Sequence, residues 1–169
     1  MLSGLLPPTF YTVYENNNGC PLGLNCFKDF EKGLLESRYT NKPMLIDFTG
    51  WACANCRRVE ENTWSKNDIY NMINDEFILI SLYVDDRSDL NPDQIIILTD
   101  KNGTEKTLKK VGEKWSAFQT INFKNNSQPY YVLLSPNLEV LNKPIQYTDT
   151  DTYQSWLSEG LENFKNNYK

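Results

Sequence analysis

The stretch "FTGWACANCRRVE", residues 48–60, decides the fold that the sequence predicts. It carries Cys53 and Cys56 and overlaps the end of the apolar run "PMLIDFTG" (43–50). That run predicts a strand buried on both faces, and "FILISLYVDD" (77–86) predicts a second one. With a helix that begins inside the cysteine stretch, the three elements form a βαβ unit, so the two strands should pair in parallel.

Hydrophobic spacing and turn residues predict the other elements. The helix that begins in the cysteine stretch should run to about Asn74, and a β-hairpin insertion is predicted at 87–112, around Asn102-Gly103. The remaining predictions, in chain order, are a helix in "FKDFEKGLLESRYTNK" (27–42), a short helix in "GEKWSAFQTINF" (112–123), a second hairpin from "PYYVLLS" (129–135) and "LEVLNKPIQY" (138–147), and an amphipathic helix over 149–169.

Composition excludes several classes of function. A chain of 169 residues suits one domain. The net charge of −5 argues against a nucleic-acid partner, and no apolar stretch is long enough to insert into a membrane. The chain has no His, which removes Ser-His-Asp triads, Cys-His protease pairs and His-containing metal sites. Thiols are therefore the sharpest remaining signal of chemistry.

The order of the predicted elements is that of the thioredoxin-like α/β fold, a central mixed β-sheet flanked by helices. The CxxC pair stands where the first core strand meets its helix, and this placement predicts a redox-active pair. Residues 1–26, which begin with a stretch rich in Pro, Gly and Asn, are predicted to be an irregular N-terminal extension. Residues 27–169 are predicted to form the thioredoxin-like domain.

The sequence also resembles the C-terminal, thioredoxin-like domain of the DsbD family of membrane thiol reductases, in its Bacteroidetes form. The resemblance is carried by "SGLLPP" (3–8), "CPLGLNCFKDFEKG" (20–33), "MLIDFTGWACANCRRVE" (44–60), "ISLYVDD" (80–86), "GEKWS" (112–116) and "QPYYVLL" (128–134). It implies a periplasmic domain, connected with cytochrome c biogenesis, for electron transfer from a membrane-embedded partner domain to disulfides of exported proteins.

The roles of Cys53 and Cys56 follow from their position at a helix start. Unpaired backbone N–H groups and the helix dipole stabilise a thiolate there, so Cys53 should be the exposed, attacking sulfur. Cys56, one turn later and more buried, should resolve the mixed disulfide. The alternative is a purely structural disulfide, but a bond that closes so short a loop constrains the unfolded chain little.

Two acids near the cysteines are candidate catalytic groups. Asp47 interrupts an apolar strand, where burying a carboxylate is costly, and the resemblance implies an acid that exchanges protons with Cys56. The alternative for Asp47 is an Asp that caps a turn. Glu60 can share a helix face with both cysteines, and the resemblance implies a second carboxylate that raises the thiol pKa. The alternative for Glu60 is a solvated side chain beside Glu61. With both acids ionised, repulsion should hold the Cys53 pKa above about 7.

Four further residues are predicted to contact a partner. The resemblance implies that Pro129 is a cis-proline packed against the disulfide and that Gln128 before it faces the substrate. Trp51 and Ala52 precede Cys53. Thioredoxins commonly place Trp immediately before the first cysteine, whereas Ala holds that place here, which should affect partner preference rather than chemistry.

Cys20 and Cys26, in "CPLGLNC", leave three alternatives open. They could form a structural disulfide in an oxidising compartment, remain free thiols, or act as a second redox pair. The first is favoured, and the last is disfavoured because the spacer precedes the helix rather than opening it.

The function predicted is therefore a protein-disulfide reductase that needs no bound cofactor and no metal, since the cysteine pair carries the two electrons. Two alternatives remain. The same fold could act as an oxidant or isomerase, because "CANC" does not set the direction of electron flow. A four-cysteine zinc module, using Cys20, Cys26, Cys53 and Cys56, belongs to another class, and the five-residue spacer in "CPLGLNC" disfavours it.

Overall fold

The computed structural model describes residues 19–168, so most of the predicted N-terminal extension lies outside the described residues. The strands are β1 (Cys26–Phe27), β2 (Met44–Thr49), β3 (Ile78–Tyr83), β4 (Ile96–Thr99), β5 (Glu105–Leu108) and β6 (Tyr130–Leu134). The helices are α1 (Phe30–Thr40), α2 (Ala54–Val59), α3 (Asn67–Glu76), α4 (Val111–Phe123) and α5 (Thr150–Asn167), with a π-helical turn at Glu60–Trp64 and 3₁₀ turns at Pro21–Gly23 and Pro92–Gln94. Within this range, no helix combines the length and hydropathy that crossing a membrane requires.

The central sheet is mixed, with strand order β1-β3-β2-β6. Strand β3 runs parallel to both β1 and β2, whereas β6 runs antiparallel to β2. The predicted parallel pairing of the two core strands is confirmed. The register sets Asp47 opposite Ser81 on β3 and opposite Tyr131 on β6, so these three side chains form one row across the sheet.

Helices cover both faces of the sheet and bury a core on each. The core under α2, α3 and α5 receives Leu45, Leu79 and Leu133 from the strands. The core under α1 and α4 receives the next residues along, Ile46, Ile80 and Val132. Because side chains alternate along a strand, Asp47 falls on the same face as Leu45. The fold therefore places a carboxylate beneath the helix that carries the cysteines.

The single long helix predicted to reach Asn74 is wrong. Helix α2 ends at Val59, the π-helical turn follows, and α3 begins only at Asn67. Lys66 before it is extended, with φ −71° and ψ 129°, so the chain leaves the helical conformation between the two. Buried residues continue at nearly helical spacing across this break, which is why the sequence pattern does not reveal it.

The first predicted helix also begins later than its apolar spacing indicates. Phe27 lies in β1 rather than in a helix, and it pairs with Ile80 of β3. Asp29 starts α1 instead, because its carboxylate accepts a hydrogen bond of 3.0 Å from the backbone N–H of Lys32. Strand β1 crosses the predicted domain boundary between residues 26 and 27, and that boundary stays a prediction.

Of the two predicted hairpins, the insertion is fully formed and the second only in part. Strands β4 and β5 pair antiparallel, and Gly103 takes the turn with φ +80°. After β6, the chain makes only isolated antiparallel bridges, at Val140 and Ile145. Between those bridges, the Asn142 side chain donates a hydrogen bond of 2.8 Å to the Trp156 carbonyl on α5, and Pro144 has no N–H to donate to a neighbouring strand.

Candidate active site

Cys53 and Cys56 form a disulfide at the start of α2. Cys53 is half-buried and caps the helix, since its Sγ accepts a hydrogen bond of 3.2 Å from the backbone N–H of Cys56. Cys56 is only 1% exposed. Cys53 is therefore the sulfur that another molecule can approach.

An open groove runs beside Cys53 and is formed by three parts of the chain: the turn before α2, the end of β3 and the loop before β6. The residues that line it are Gly50, Ala52, Cys53, Ala54, Asn55, Val84, Asp85 and Gln128. Two of the predicted partner-contacting residues, Ala52 and Gln128, thus meet at the reactive sulfur.

Asp47 is 1% exposed and lies on the sheet face that α2 covers. Its Oδ2 accepts a hydrogen bond of 3.3 Å from the Ser81 hydroxyl, and its Oδ1 has no partner within residues 19–168. Burial, with a smaller contribution from the charge of Glu60, raises the pKa of Asp47 from 3.8 to about 8. The carboxyl does not cap a turn, and its raised pKa means that it titrates near neutral pH rather than near pH 4.

Glu60 is 7% exposed, whereas Glu61 beside it is exposed, so the solvated alternative for Glu60 is wrong. Its Oε1 forms an ion pair of 2.9 Å with Nη2 of Arg57, without the alignment of a hydrogen bond. Burial raises the pKa of Glu60 to about 7, against the opposing effect of Arg57. The effect of removing the Glu60 carboxylate from water on its pKa is thus larger than the opposing effect of its ion pair with Arg57.

Arg57 joins the helix to the end of β2. Its Nη2 donates hydrogen bonds to the Thr49 hydroxyl at 3.2 Å and to the Gly50 carbonyl at 3.4 Å. Its charge lowers the pKa of Glu60 and of Asp47, although less than burial raises them. Arg57 is thus the cation that partly offsets two buried acids.

The Gln128–Pro129 peptide bond is cis, as the resemblance implies. Gln128 is held from behind by Gln119, a fully buried residue of α4. The amide oxygen of Gln119 accepts a hydrogen bond of 2.9 Å from Nε2 of Gln128, and its Nε2 donates one of 2.8 Å to the Ser127 carbonyl. A buried amide therefore fixes the loop that forms one wall of the groove.

Trp51 is 51% exposed and lies outside the set of groove-lining residues. Its ring stacks on Tyr83 with a centroid distance of 3.9 Å, and Nζ of Lys28 lies 5.2 Å from the Trp51 ring centroid. Trp51 therefore offers an exposed aromatic surface two residues before the reactive sulfur. Trp64 is fully buried, and Trp115 and Trp156 are each more than nine-tenths buried.

Cys20 and Cys26 also form a disulfide, which excludes the free-thiol alternative for this structure. Cys26 is 1% exposed and belongs to β1, so one end of the bond lies in the core. The Gly19 carbonyl next to Cys20 accepts a hydrogen bond of 3.3 Å from the Tyr83 hydroxyl. With all four cysteines paired in two disulfides, none offers a thiolate to a zinc ion.

Sequence reasoning missed three residues of this site: Arg57, Asp85 and Gln119. Arg57 had a usable signal, because it stands three residues before Glu60 on a predicted helix. Asp85 had another, because it follows a parallel strand, and sites form at the carboxyl ends of such strands. Gln119 had none, since an amide in a helix of mixed composition indicates no particular role.

Comparison with known proteins identifies the fold. A family model described as thioredoxin-like matches residues 25–106. Among solved structures, the chain is similar to the DsbH oxidoreductase, with 13% identity, a TM-score of 0.57, and 85% of this chain and 90% of that chain covered. It is also similar to a thioredoxin from Thermus thermophilus, with 12% identity, a TM-score of 0.55, and 79% and 85% covered.

The reduced DsbD C-terminal domain of Neisseria meningitidis is similar as well, with 11% identity, a TM-score of 0.51, and 79% of this chain and 98% of that chain covered. A sequence search of curated proteins finds no match. The predicted fold class is confirmed: this chain has the thioredoxin-like α/β fold, with a mixed central sheet flanked by helices.

Proposed function

We propose that this chain is a thiol–disulfide oxidoreductase that reduces disulfides of exported proteins through Cys53 and Cys56. One observation carries the proposal. A disulfide with one half-buried and one buried sulfur lies at the edge of an open groove, with a buried carboxyl on the sheet face below its helix. A purely structural disulfide needs neither the groove nor the carboxyl, whereas disulfide exchange uses both.

The reaction takes two steps in the reduced protein. The Cys53 thiolate attacks one sulfur of the partner disulfide, so a mixed disulfide forms and the partner's other sulfur leaves as a thiolate. Cys56 then loses its proton and attacks Sγ of Cys53, which releases the partner's second thiolate and re-forms the Cys53–Cys56 disulfide. Two electrons pass to the partner, and its two thiolates take up two protons.

Asp47, in its ionised form, is proposed to accept the proton that Cys56 loses in the second step. A carboxyl with a pKa of about 8 can both hold and release a proton near neutral pH, which a solvated Asp cannot. Glu60, with a pKa of about 7, is a second buried carboxyl, near enough for its charge to raise the pKa of Asp47. Both acids disfavour a nearby thiolate when they ionise, so the reduced site should stay less reactive until a docked partner changes the balance.

The finer assignment is a DsbD-type C-terminal domain that receives electrons from a membrane-embedded donor in the periplasm. Support comes from the sequence segments that resemble that family and from the Cys20–Cys26 disulfide, a bond typical of oxidising compartments. The proposed reaction uses no bound cofactor, because the dithiol pair itself carries the electrons. Its partners would be an upstream dithiol donor and downstream protein disulfides.

Insulin, a small protein held by disulfides, provides the test. Protein reduced at Cys53–Cys56 and freed of reductant should convert insulin disulfides to thiols in a one-to-one ratio, and Cys53→Ser should not. The opposite direction is tested with oxidised protein and reduced, unfolded ribonuclease. Faster disulfide formation in ribonuclease than disulfide reduction in insulin would replace the reductase with an oxidant or isomerase.

A further inference from the structure

The turn that carries Cys53 to the groove is held by a carboxylate from the turn that follows β3. The backbone N–H of Trp51 donates a hydrogen bond of 2.9 Å to Oδ1 of Asp85, and the N–H of Ala52 donates one of 3.0 Å to Oδ2. The N–H of Cys53 donates to the Gly50 carbonyl at 3.2 Å, which closes the turn. The backbone N–H groups of Trp51, Ala52 and Cys53 therefore all donate hydrogen bonds.

The close approach of the turn to Asp85 depends on a glycine. A Cβ atom added at Gly50 would lie 3.0 Å from Oδ2 and 3.1 Å from Cγ of Asp85. Gly50 also presents its carbonyl to Arg57, at 3.4 Å, so the turn is fixed from two sides. A Cβ at position 50 would require the carboxylate to shift by a few tenths of an ångström relative to the two N–H groups that it binds.

Asp85 is exposed, lines the groove beside Cys53, and forms no ion pair within residues 19–168. An exposed carboxylate contributes little to the stability of a fold, because water replaces its hydrogen bonds at low cost. Its two aligned acceptor atoms do something else: they restrict the backbone just before the sulfur that must react. The contact joins the end of β3 to the start of α2, the two elements between which the groove opens.

We propose that Asp85 is a positioning residue that fixes the Trp51–Ala52 backbone and thereby orients the Cys53 sulfur toward Cys56 and toward a partner disulfide. The inference rests on the proposed function. Thiol–disulfide exchange needs the attacking sulfur in line with the bond that breaks, so small displacements reduce its rate steeply. A loosened turn should therefore lower the effective concentration of one thiol relative to the other, with little change in folding.

Two substitutions at Asp85 separate its positioning of the turn from the effect of its charge. Asp85→Asn removes the charge and keeps one acceptor oxygen for the turn, whereas Asp85→Ala removes the charge and both acceptors. Asp93→Ala is the matched control, because Asp93 is an exposed acid that lines no part of the groove. For each protein, equilibration with glutathione gives the effective concentration of Cys53 and Cys56. Rapid-quench mass spectrometry gives the rate at which Cys56 resolves a Cys53–glutathione mixed disulfide.

Asp85→Ala should lower both the effective concentration and the resolution rate on the order of tenfold, and Asp85→Asn should lower them clearly less. Asp93→Ala should match the wild type, and the melting temperatures of all variants should stay within about 4 °C of it. Equal effects of Asn and Ala would show that only the charge matters, and no effect of Ala would show that the turn needs no support. Either result overturns the proposal.

The proposed function can fail separately. If wild-type protein does not reduce insulin, the assignment as a protein-disulfide reductase is lost, yet the glutathione measurements still report whether Asp85 orients Cys53.

Discussion

The two disulfides of this chain lie in opposite surroundings. Cys53–Cys56 closes a four-residue loop at the start of a helix, beside an open groove, with Asp47 and Glu60 buried on the same side of the sheet. Cys20–Cys26 spans six positions and ties the first described residues to β1, where the Cys26 side chain is buried. Neither Cys20 nor Cys26 lines that groove.

From this contrast we infer that the surroundings of each disulfide, rather than the bond itself, decide its role. Exchange needs a path for the partner, a favourable position for the attacking thiolate and a nearby group that takes a proton. The Cys53–Cys56 region supplies a groove, a helix start and a carboxyl that titrates near neutral pH. The Cys20–Cys26 region supplies a link between a loop and the sheet. Four predictions, in order of decreasing effect, test that division.

The largest effect should come from the cysteines themselves. Cys53→Ser should reduce insulin-disulfide reduction by at least about a thousandfold, because the attacking thiolate is lost. Cys56→Ser should instead trap a mixed disulfide between Cys53 and the partner, visible by mass spectrometry. Cys20→Ala with Cys26→Ala is the matched control and should retain activity. Normal turnover by Cys56→Ser would mean that the attacking and resolving thiols are wrongly assigned.

The second effect concerns Asp47, the buried acid near the Cys53–Cys56 disulfide. The pKa of Asp47 is about 8 in the fold against 3.8 for an unperturbed Asp. Stability from this group is therefore fully present below about pH 4 and is lost as pH rises toward 8. Asp47→Asn should remove that loss and gain roughly 6 kcal/mol relative to wild type at pH 9, but little at pH 4, since each unit of pKa difference is worth about 1.4 kcal/mol. Urea unfolding of the oxidised proteins at the two pH values measures it. A pH-independent difference would contradict the raised pKa.

The third effect tests the structural role of the other disulfide. Cys20→Ala with Cys26→Ala should lower the free energy of unfolding by about 2 kcal/mol, because the unfolded chain without this short closed loop has more conformational entropy. Urea unfolding of the oxidised variant and wild type gives the value. An unchanged stability together with lost activity would move Cys20–Cys26 from the structural region to the redox pathway.

The smallest effect is on the thiol titration. Because Asp47 and Glu60 ionise near pH 8 and 7, they repel the Cys53 thiolate mainly above neutral pH. Asp47→Asn and Glu60→Gln should each lower the Cys53 pKa by about one unit or less, read from thiolate absorbance against pH. Glu61→Gln, at the exposed neighbour, should leave it unchanged. If all three variants titrate like wild type, the two acids are structural.

The sequence predicted the sheet well because its strands are continuous apolar runs. Both "PMLIDFTG" and "FILISLYVDD" became buried parallel strands, and the Asn102-Gly103 signal became a hairpin. The helix after Cys56 was wrong in length, since hydrophobic periodicity reports which side is buried and not whether hydrogen bonding continues. The segment after β6 was only partly predictable, because its contacts include a hydrogen bond from the Asn142 side chain to α5, a tertiary contact that strand propensity does not report.

The site was predictable where a residue stood out locally. Asp47 drew attention as a charge in an apolar strand, and the cysteines by their spacing. The expectation that both acids are ionised needs revision, because burial holds the Asp47 proton to about pH 8, and burial depends on the whole fold. Asp85 accepts two backbone hydrogen bonds across 34 and 33 positions of the chain; its place after a parallel strand signals a site, but residue type and spacing do not encode these contacts.

The most direct test of the division between the two disulfides is a glutathione titration with differential alkylation, in which mass spectrometry counts open and closed pairs separately. At the glutathione ratio that opens half of Cys53–Cys56, we predict that about 90% or more of Cys20–Cys26 stays closed, a difference of at least about tenfold in equilibrium constant. If both pairs open together, or Cys20–Cys26 opens first, the assignment of one exchanging and one structural disulfide is contradicted.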